Sequence, residues 1–100
     1  MEISGMLGKY ELVLQFPLPP RDVAQFDRVT QLEAELSKPS SLFALDGDDC
    51  RLGSMELYLM TDDPAGCLDL IWPIIPAHCS CRAGYRHAHA REEALVPLRA

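Results

Sequence analysis

The chain has 100 residues, of which 48% are apolar and 24% are charged. This composition is typical of one globular domain over residues 1–100, and it excludes a disordered tail, in which apolar residues are scarce and charges abundant. Fifteen acidic against nine basic residues give a formal net charge of −6. The mean field around such a protein repels phosphate backbones, so nucleic acid is not an expected partner.

The chain is expected to be cytoplasmic and to have no membrane partner. No apolar run reaches the roughly 20 residues that a membrane-spanning helix needs, and residues 1–5 lack the basic and apolar regions of a secretory signal. In a reducing compartment, cysteines are expected to be free thiols. The four cysteines are Cys50, Cys67, Cys79 and Cys81.

Two elements are predicted in the first forty residues. Alternation of apolar side chains predicts a strand over residues 10–16, which ends at Pro17. Apolar residues at three- and four-residue steps then predict a helix from about residue 21 to residue 38, closed by Pro39. The apolar positions of this helix are Phe26, Val29, Leu32 and Leu36.

A hairpin and a second helix are predicted next. Strands are expected over residues 42–45 and 55–60, joined by a polar connection that contains the turn-forming pair Asp46-Gly47. Asp63-Pro64 predicts a helix start, because aspartate caps the first amides and proline fits the first turn. Pro73 is expected to shorten or kink this helix. One or two further strands are expected over residues 81–90 and 95–98.

The order strand, helix, strand, strand, helix, strand predicts an α+β, ferredoxin-like βαββαβ fold, in which two helices cover one face of an antiparallel sheet. The other sheet face is left uncovered, and apolar residues are expected on it. An exposed apolar face marks an interaction surface. Val13, Tyr58 and Met60 are the predicted partner-binding residues. Two chains that stack these faces would form a dimeric α/β barrel, so a homodimer or one protein partner is expected.

Four short motifs lie in order along the first three quarters of the chain: residues 10–16, Asp46-Gly47-Asp48-Asp49, Gly53-Ser54-Met55-Glu56 and Thr61-Asp62-Asp63-Pro64. In these motifs the chain resembles a group of short bacterial proteins of unassigned role. The resemblance implies the same fold and a bacterial, cytoplasmic setting, and it implies no established activity. After Pro76 the chain departs from the pattern of this group.

Cysteine and histidine side chains cluster near the C-terminus, and thiolate and imidazole are ligands that Zn²⁺ favours. The set is His78, Cys79, Cys81, His87 and His89. In one unbroken strand Cys81 and His87 lie about 20 Å apart, so a single zinc ion needs a turn between the two pairs, which Gly84 can supply. The metal hypothesis takes Cys79, Cys81, His87 and His89 as ligands. The alternative is ordinary thiols and surface histidines, with no cofactor.

No catalytic residue is assigned from the sequence. Cys67 lies near the start of the second helix, where a thiol can be activated, but its apolar neighbours favour a small buried thiol. Two functions remain open. The first is association, as a homodimer or as an inhibitor-like or immunity-like binding module. The second is a dimeric α/β-barrel enzyme or small-ligand binder that uses His87 or His89.

Overall fold

The computed structural model describes residues 8–76, 79–90 and 92–99. Within these residues the protein is α+β, with a five-stranded antiparallel sheet and two α-helices, neither of which is long and apolar enough to span a membrane. The strands are β1 (Tyr10–Pro17), β2 (Ala44–Arg51), β3 (Ser54–Thr61), β4 (Arg82–His87) and β5 (Val96–Arg99). The helices are α1 (Val23–Leu36) and α2 (Pro64–Ile71), and a 3-10 turn (Trp72–Ile74) follows α2.

The sheet has the strand order β2-β3-β1-β4-β5, so β1 lies at its centre. β1 pairs antiparallel with β3 on one side and with β4 on the other. The elements from β1 to β4 follow one another along the chain as predicted. β5 is an added edge strand that pairs with β4, and with it the sheet departs from the predicted four-strand arrangement.

Both helices pack on one face of the sheet, the helix face. Leu12, Leu14 and Phe16 of β1 point to this face, because alternate positions of a strand share a side, and each is at most 1% exposed. They form one core with side chains of both helices. The helix residues in this core are Val29, Leu32 and Leu36 of α1 and Cys67, Leu68 and Ile71 of α2.

Each helix begins at an aspartate that accepts a hydrogen bond from a first-turn amide. The Asp22 side chain accepts from the Gln25 amide at 2.9 Å, and the Asp63 side chain accepts from the Gly66 amide at 3.1 Å. Such caps satisfy amides that have no partner inside the helix. The predicted start of α2 at Asp63-Pro64 is confirmed, and the α-helix ends at Ile71, two residues before Pro73.

The hairpin between β2 and β3 differs from the prediction. β2 continues through Arg51, and the turn is formed by Leu52 and Gly53. Gly53 has a φ of +85°, which a residue without a Cβ adopts readily. Gly47 instead lies at a register shift of the β2–β3 pair, so Asp46-Gly47 forms a bulge within the strand.

Gln25 occupies the inward position of α1 that the periodicity assigns to Phe26. Gln25 is 4% exposed, whereas Phe26 is 42% exposed. The Gln25 amide group donates hydrogen bonds to the Pro17 carbonyl at 2.8 Å and to the Cys79 carbonyl at 3.2 Å. The prediction that Phe26 belongs to the core is therefore wrong, because a buried glutamine ties α1 to the segments beside it.

Candidate binding surface

The sheet face opposite the helices, called the open face, carries the predicted partner-binding residues. Val13 is 1% exposed, Tyr58 is 7% exposed and Met60 is half-buried. Neither Val13 nor Tyr58 is accessible to a partner, so the expected uncovered apolar surface is absent at these two positions. Their assignment as partner-binding residues stays a prediction. It assumed that both side chains are exposed, and both are buried.

Chain segments and polar contacts close the open face. A Cβ placed on Gly84, next to Val13, would lie 3.0 Å from the Leu95 Cβ, so the residues that lead into β5 cross the sheet here. Arg86 donates to the Glu11 carboxylate, with Nε–Oε1 at 2.9 Å, and the Glu11 side chain is 0% exposed. This face is therefore held by a buried ion pair as well as by apolar contacts.

A second cluster of polar side chains lies across β1 and β3, around the Glu56 carboxylate. The Glu56 carboxylate accepts hydrogen bonds from the Gln15 amide group at 2.8 Å and from the Tyr58 hydroxyl at 2.7 Å. Burial, together with the hydrogen bond to Glu56, raises the pKa of Tyr58 to about 12. The hydroxyl is therefore a proton donor to Glu56 at neutral pH.

The structure does not bring the four predicted zinc ligands together. β4 is an unbroken strand, with Gly84 paired to Val13 within it rather than in a turn. Cys79 and Cys81 precede this strand, His87 ends it and His89 follows it. At about 3.3 Å per residue, the two pairs lie roughly 20 Å apart along β4. Among residues 8–76, 79–90 and 92–99, no group of three or more metal-ligating side chains is found, and His78 lies outside the described residues.

His87, the last residue of β4, faces solvent. His87 is paired through Nδ1 with Glu93 Oε1 at 3.3 Å, and its side chain is 67% exposed. Its ring stacks at a tilt on Tyr10, with ring centres 5.3 Å apart. The pair closes the turn that follows β4, since the His87 backbone amide also donates to Glu93 at 3.4 Å.

Cys67 is a buried thiol, as its apolar neighbours predict. It is 2% exposed and belongs to the core. Burial, with a smaller contribution from Asp63, raises the pKa of Cys67 to about 11. A thiolate nucleophile at neutral pH is therefore disfavoured at this position.

Exposed apolar side chains meet instead at one end of the sheet, around a concave pocket of about 330 Å³, called the end pocket. Val23 is 66% exposed, Phe26 is 42% exposed and Leu52 is 101% exposed. All three belong to the lining of the end pocket, Val23 and Phe26 from α1 and Leu52 from the β2–β3 turn. The full lining is Leu18, Pro19, Pro20, Arg21, Asp22, Val23, Phe26, Arg51, Leu52 and Gly53.

Local structure explains why these apolar residues remain outside the core. Pro19 and Pro20 prevent β1 from continuing past its end, and Arg21 turns the chain with a φ of +66°. The Leu18 amide donates to the Gly53 carbonyl at 2.9 Å. This bond fixes the β2–β3 turn beside the start of α1 and leaves a gap between them.

Both edges of the sheet resist pairing with another strand. β2 carries Asp46, Asp48 and Asp49 and contains a bulge. β5 has four residues and includes Pro97, which has no amide hydrogen to donate. Charges, bulges, short strands and proline are the features that block edge-to-edge association. The end pocket is therefore a better candidate contact surface than either edge.

Comparison of the chain with protein-family models, curated proteins and solved structures finds no match. The resemblance to short bacterial proteins stays a prediction.

Proposed function

We propose that this protein acts by association with a second copy of itself, and that the end pocket is the contact surface. The observation that carries the proposal is the exposure of Val23, Phe26 and Leu52 in the lining of one pocket. Apolar area that leaves water stabilises a complex by about 25 cal/mol per Å². A contiguous exposed apolar patch on a small protein is typical of an interaction site.

The shape of the end pocket supports a two-fold contact between identical chains. Leu52 projects from the hairpin turn, and the concave opening lies directly beside it. In a two-fold dimer the same patch of each copy forms the contact. A side chain that projects from this patch can then enter the cavity of the other copy, and the reverse contact is identical. A rotation axis near Leu52 brings the leucine of each copy towards the cavity of the other.

Charge also favours a second copy as the occupant. The lining contains Arg21, Arg51 and Asp22, and Arg51 Nε is paired with Asp49 Oδ2 at 2.7 Å. The local charges therefore balance, on a chain whose formal net charge is −6. Two acidic chains repel each other over most of their surfaces. They repel least where the local charges balance, so the end pocket opposes the approach of a second copy less than the acidic remainder of the surface does.

The strand order supports a more specific fold assignment than α+β. We infer a ferredoxin-like fold with one added edge strand, because β1 lies between β3 and β4 and both helices cover one face. The dimeric α/β barrel, the bacterial origin and the cytoplasmic setting remain predictions. A barrel would stack the open faces of two copies, where Val13 and Tyr58 are already buried.

The proposal is tested by light scattering after size exclusion, over a range of protein concentrations. The wild type is expected to form a dimer, and Phe26→Asp is expected to weaken the dimer by about thirtyfold, as for a typical interface hot spot. Leu70→Asp is the matched control, because Leu70 is 52% exposed on α2, away from the end pocket.

Circular dichroism of each variant separates a lost contact from a lost fold. A wild type that stays monomeric at all accessible concentrations would contradict the proposal. Equal weakening by the folded Phe26→Asp and Leu70→Asp variants would contradict it as well, because the contact would then not depend on the end pocket.

The alternative function, a ligand site or enzyme based on His87 or His89, has less support. The His87 side chain faces solvent and is paired with Glu93, and His89 is exposed in the turn after β4. Small-molecule sites are typically concave and bury most of their ligand, and these positions lie apart from the end pocket.

A further inference from the structure

A second concave pocket, called the strand-end pocket, lies where β1 ends and where β3 and β4 begin. Its volume is about 350 Å³, within the range of about 300–1,000 Å³ that is typical of small-molecule sites. It shares no lining residue with the end pocket. The lining is Gln15, Phe16, Pro17, Ser54, Ser80 and Arg82.

The register of the sheet places polar side chains from three strands on one side of this pocket. Gln15 and Pro17 alternate with the core residues of β1 and therefore point to the open face. Residues directly opposite each other in antiparallel strands share a face. Arg82 lies opposite Gln15, and Ser54 lies opposite Pro17. Because β3 and β4 flank β1, they stand about 10 Å apart on the two sides of one opening.

Three donor groups in the lining are available to a ligand. In the part of the chain that the structure describes, the Arg82 guanidinium has no ion pair, and the Ser54 and Ser80 hydroxyls make no hydrogen bond. Ser80 and Arg82 are exposed, and Ser54 is half-buried. A guanidinium presents two parallel N–H groups that match the two oxygens of a carboxylate. The strand-end pocket therefore offers one positive charge and two hydroxyl donors to the same space.

The charges beside the pocket limit the charge of the ligand. The Gln15 amide group donates to the Glu56 carboxylate at 2.8 Å, so a negative charge lies next to the lining. Arg51 is close enough to attract Glu56, which offsets this charge in part. Repulsion grows with the charge of the ligand, so Glu56 opposes a phosphate dianion more than a monoanion. Pro17 adds an apolar wall that suits a short hydrocarbon chain.

We propose that the strand-end pocket binds a small monocarboxylate. The two carboxylate oxygens accept hydrogen bonds from the Arg82 guanidinium, and the short apolar chain of the ligand lies against Pro17. The Ser54 and Ser80 hydroxyls supply further donors around the ligand. This site is separate from the end pocket, so it does not depend on the proposed dimer.

The test is an NMR titration of the full-length protein at one fixed protein concentration and constant ionic strength. Sodium butyrate is the probe, and butyramide is its neutral counterpart. We expect saturable shifts of the Ser54 and Ser80 amides and of the Arg82 Nε–H, with a Kd in the millimolar range because the ligand has few atoms. Butyramide is expected to cause no such shifts, and inorganic phosphate is expected to bind more weakly than butyrate.

Arg82→Gln is expected to weaken butyrate binding by about tenfold or more, because it removes the charged donor. Lys9→Gln is the matched control, because it removes the same charge from an exposed side chain at the opposite end of β1. Circular dichroism checks that both variants fold, and the wild-type titration decides the question if Arg82→Gln does not. Wild-type shifts that never saturate, equal weakening by the two folded variants, equal binding of butyramide, or tighter binding of phosphate would overturn the proposal.

Discussion

The Glu33 carboxyl of α1 lies beside the Asp48 carboxylate of β2, where a proton on Glu33 can form a hydrogen bond between the helix and the edge strand. This bond, with burial and the negative charge of Asp48, raises the pKa of Glu33 from 4.5 to about 7. Glu33 therefore binds a proton more tightly in the folded protein than in the unfolded chain. By linkage, the stabilisation is complete below about pH 4.5 and is lost as the pH rises through 7.

The size of the effect is limited by the exposure of the pair. At about 1.4 kcal/mol per tenfold change in proton affinity, a rise from 4.5 to about 7 has an upper limit of about 3.4 kcal/mol. Glu33 is only half-buried, and solvent screening reduces this to about 1 kcal/mol. For a domain of this size, that corresponds to a fall in Tm of about 4–8 °C.

Thermal unfolding between pH 5 and pH 8 measures this loss when the wild type is compared with Glu33→Gln. The glutamine amide can donate to Asp48 at every pH, so the variant is expected to be more stable than the wild type at pH 8 and to lack this contribution to the pH dependence. Glu35→Gln is the matched control, because Glu35 is an exposed glutamate of the same helix that pairs with Lys38 at the surface. A difference between wild type and Glu33→Gln that stays constant from pH 5 to pH 8 would refute the assignment.

Three further substitutions test the packing, each by urea unfolding. Arg86→Met should lower the free energy of unfolding by about 3–5 kcal/mol, because it removes the guanidinium from the buried Glu11. Changing Glu11 to Met as well should recover most of that stability. A loss below about 1 kcal/mol in the single variant would contradict this. Gln25→Ala should cost about 1–3 kcal/mol, because two backbone carbonyls lose their donor; an unchanged midpoint would show that they are satisfied otherwise. Gly84→Ala should cost about 1 kcal/mol or more, since its Cβ would press against Leu95; a more stable variant would contradict the crossing of the sheet at this point.

The elements with strong local patterns could be predicted from the sequence. β1 and β3 have regular apolar positions on the helix face, and Asp63-Pro64 marks the start of α2 with its own chemistry. β2 could be predicted only in part. It is an exposed edge strand with Asp46, Asp48 and Asp49 at its centre, so no alternation of apolar residues identifies it.

The closure of the open face has no local signal. Glu11 alternates with apolar residues in β1 and has the pattern of a solvent-facing side chain, yet it is buried against Arg86, 75 positions later. The crossing of Leu95 over Gly84 likewise depends on the added strand β5. The prediction of an uncovered face fails because strand periodicity shows which residues share a side and not what covers that side.

The end pocket is also hidden from the sequence. Phe26 and Gln25 are adjacent in α1, and a small rotation of the helix decides which of them enters the core. Leu52 is a single leucine in a turn, where it has no periodic neighbours. The pairing of Pro17 with Ser54 and the bond between Leu18 and Gly53, both between distant parts of the chain, bring the turn beside the start of α1.

A dilution series followed by ¹⁵N-edited NMR tests the central claim most directly, because it reports contact residue by residue in the unmodified protein. The account predicts concentration-dependent shifts in the backbone amides of residues 21–26 and 51–53, with Leu70 and the open-face residue Val13 unchanged. Shifts confined to the open face, or spectra that stay the same over the whole concentration range, would contradict it.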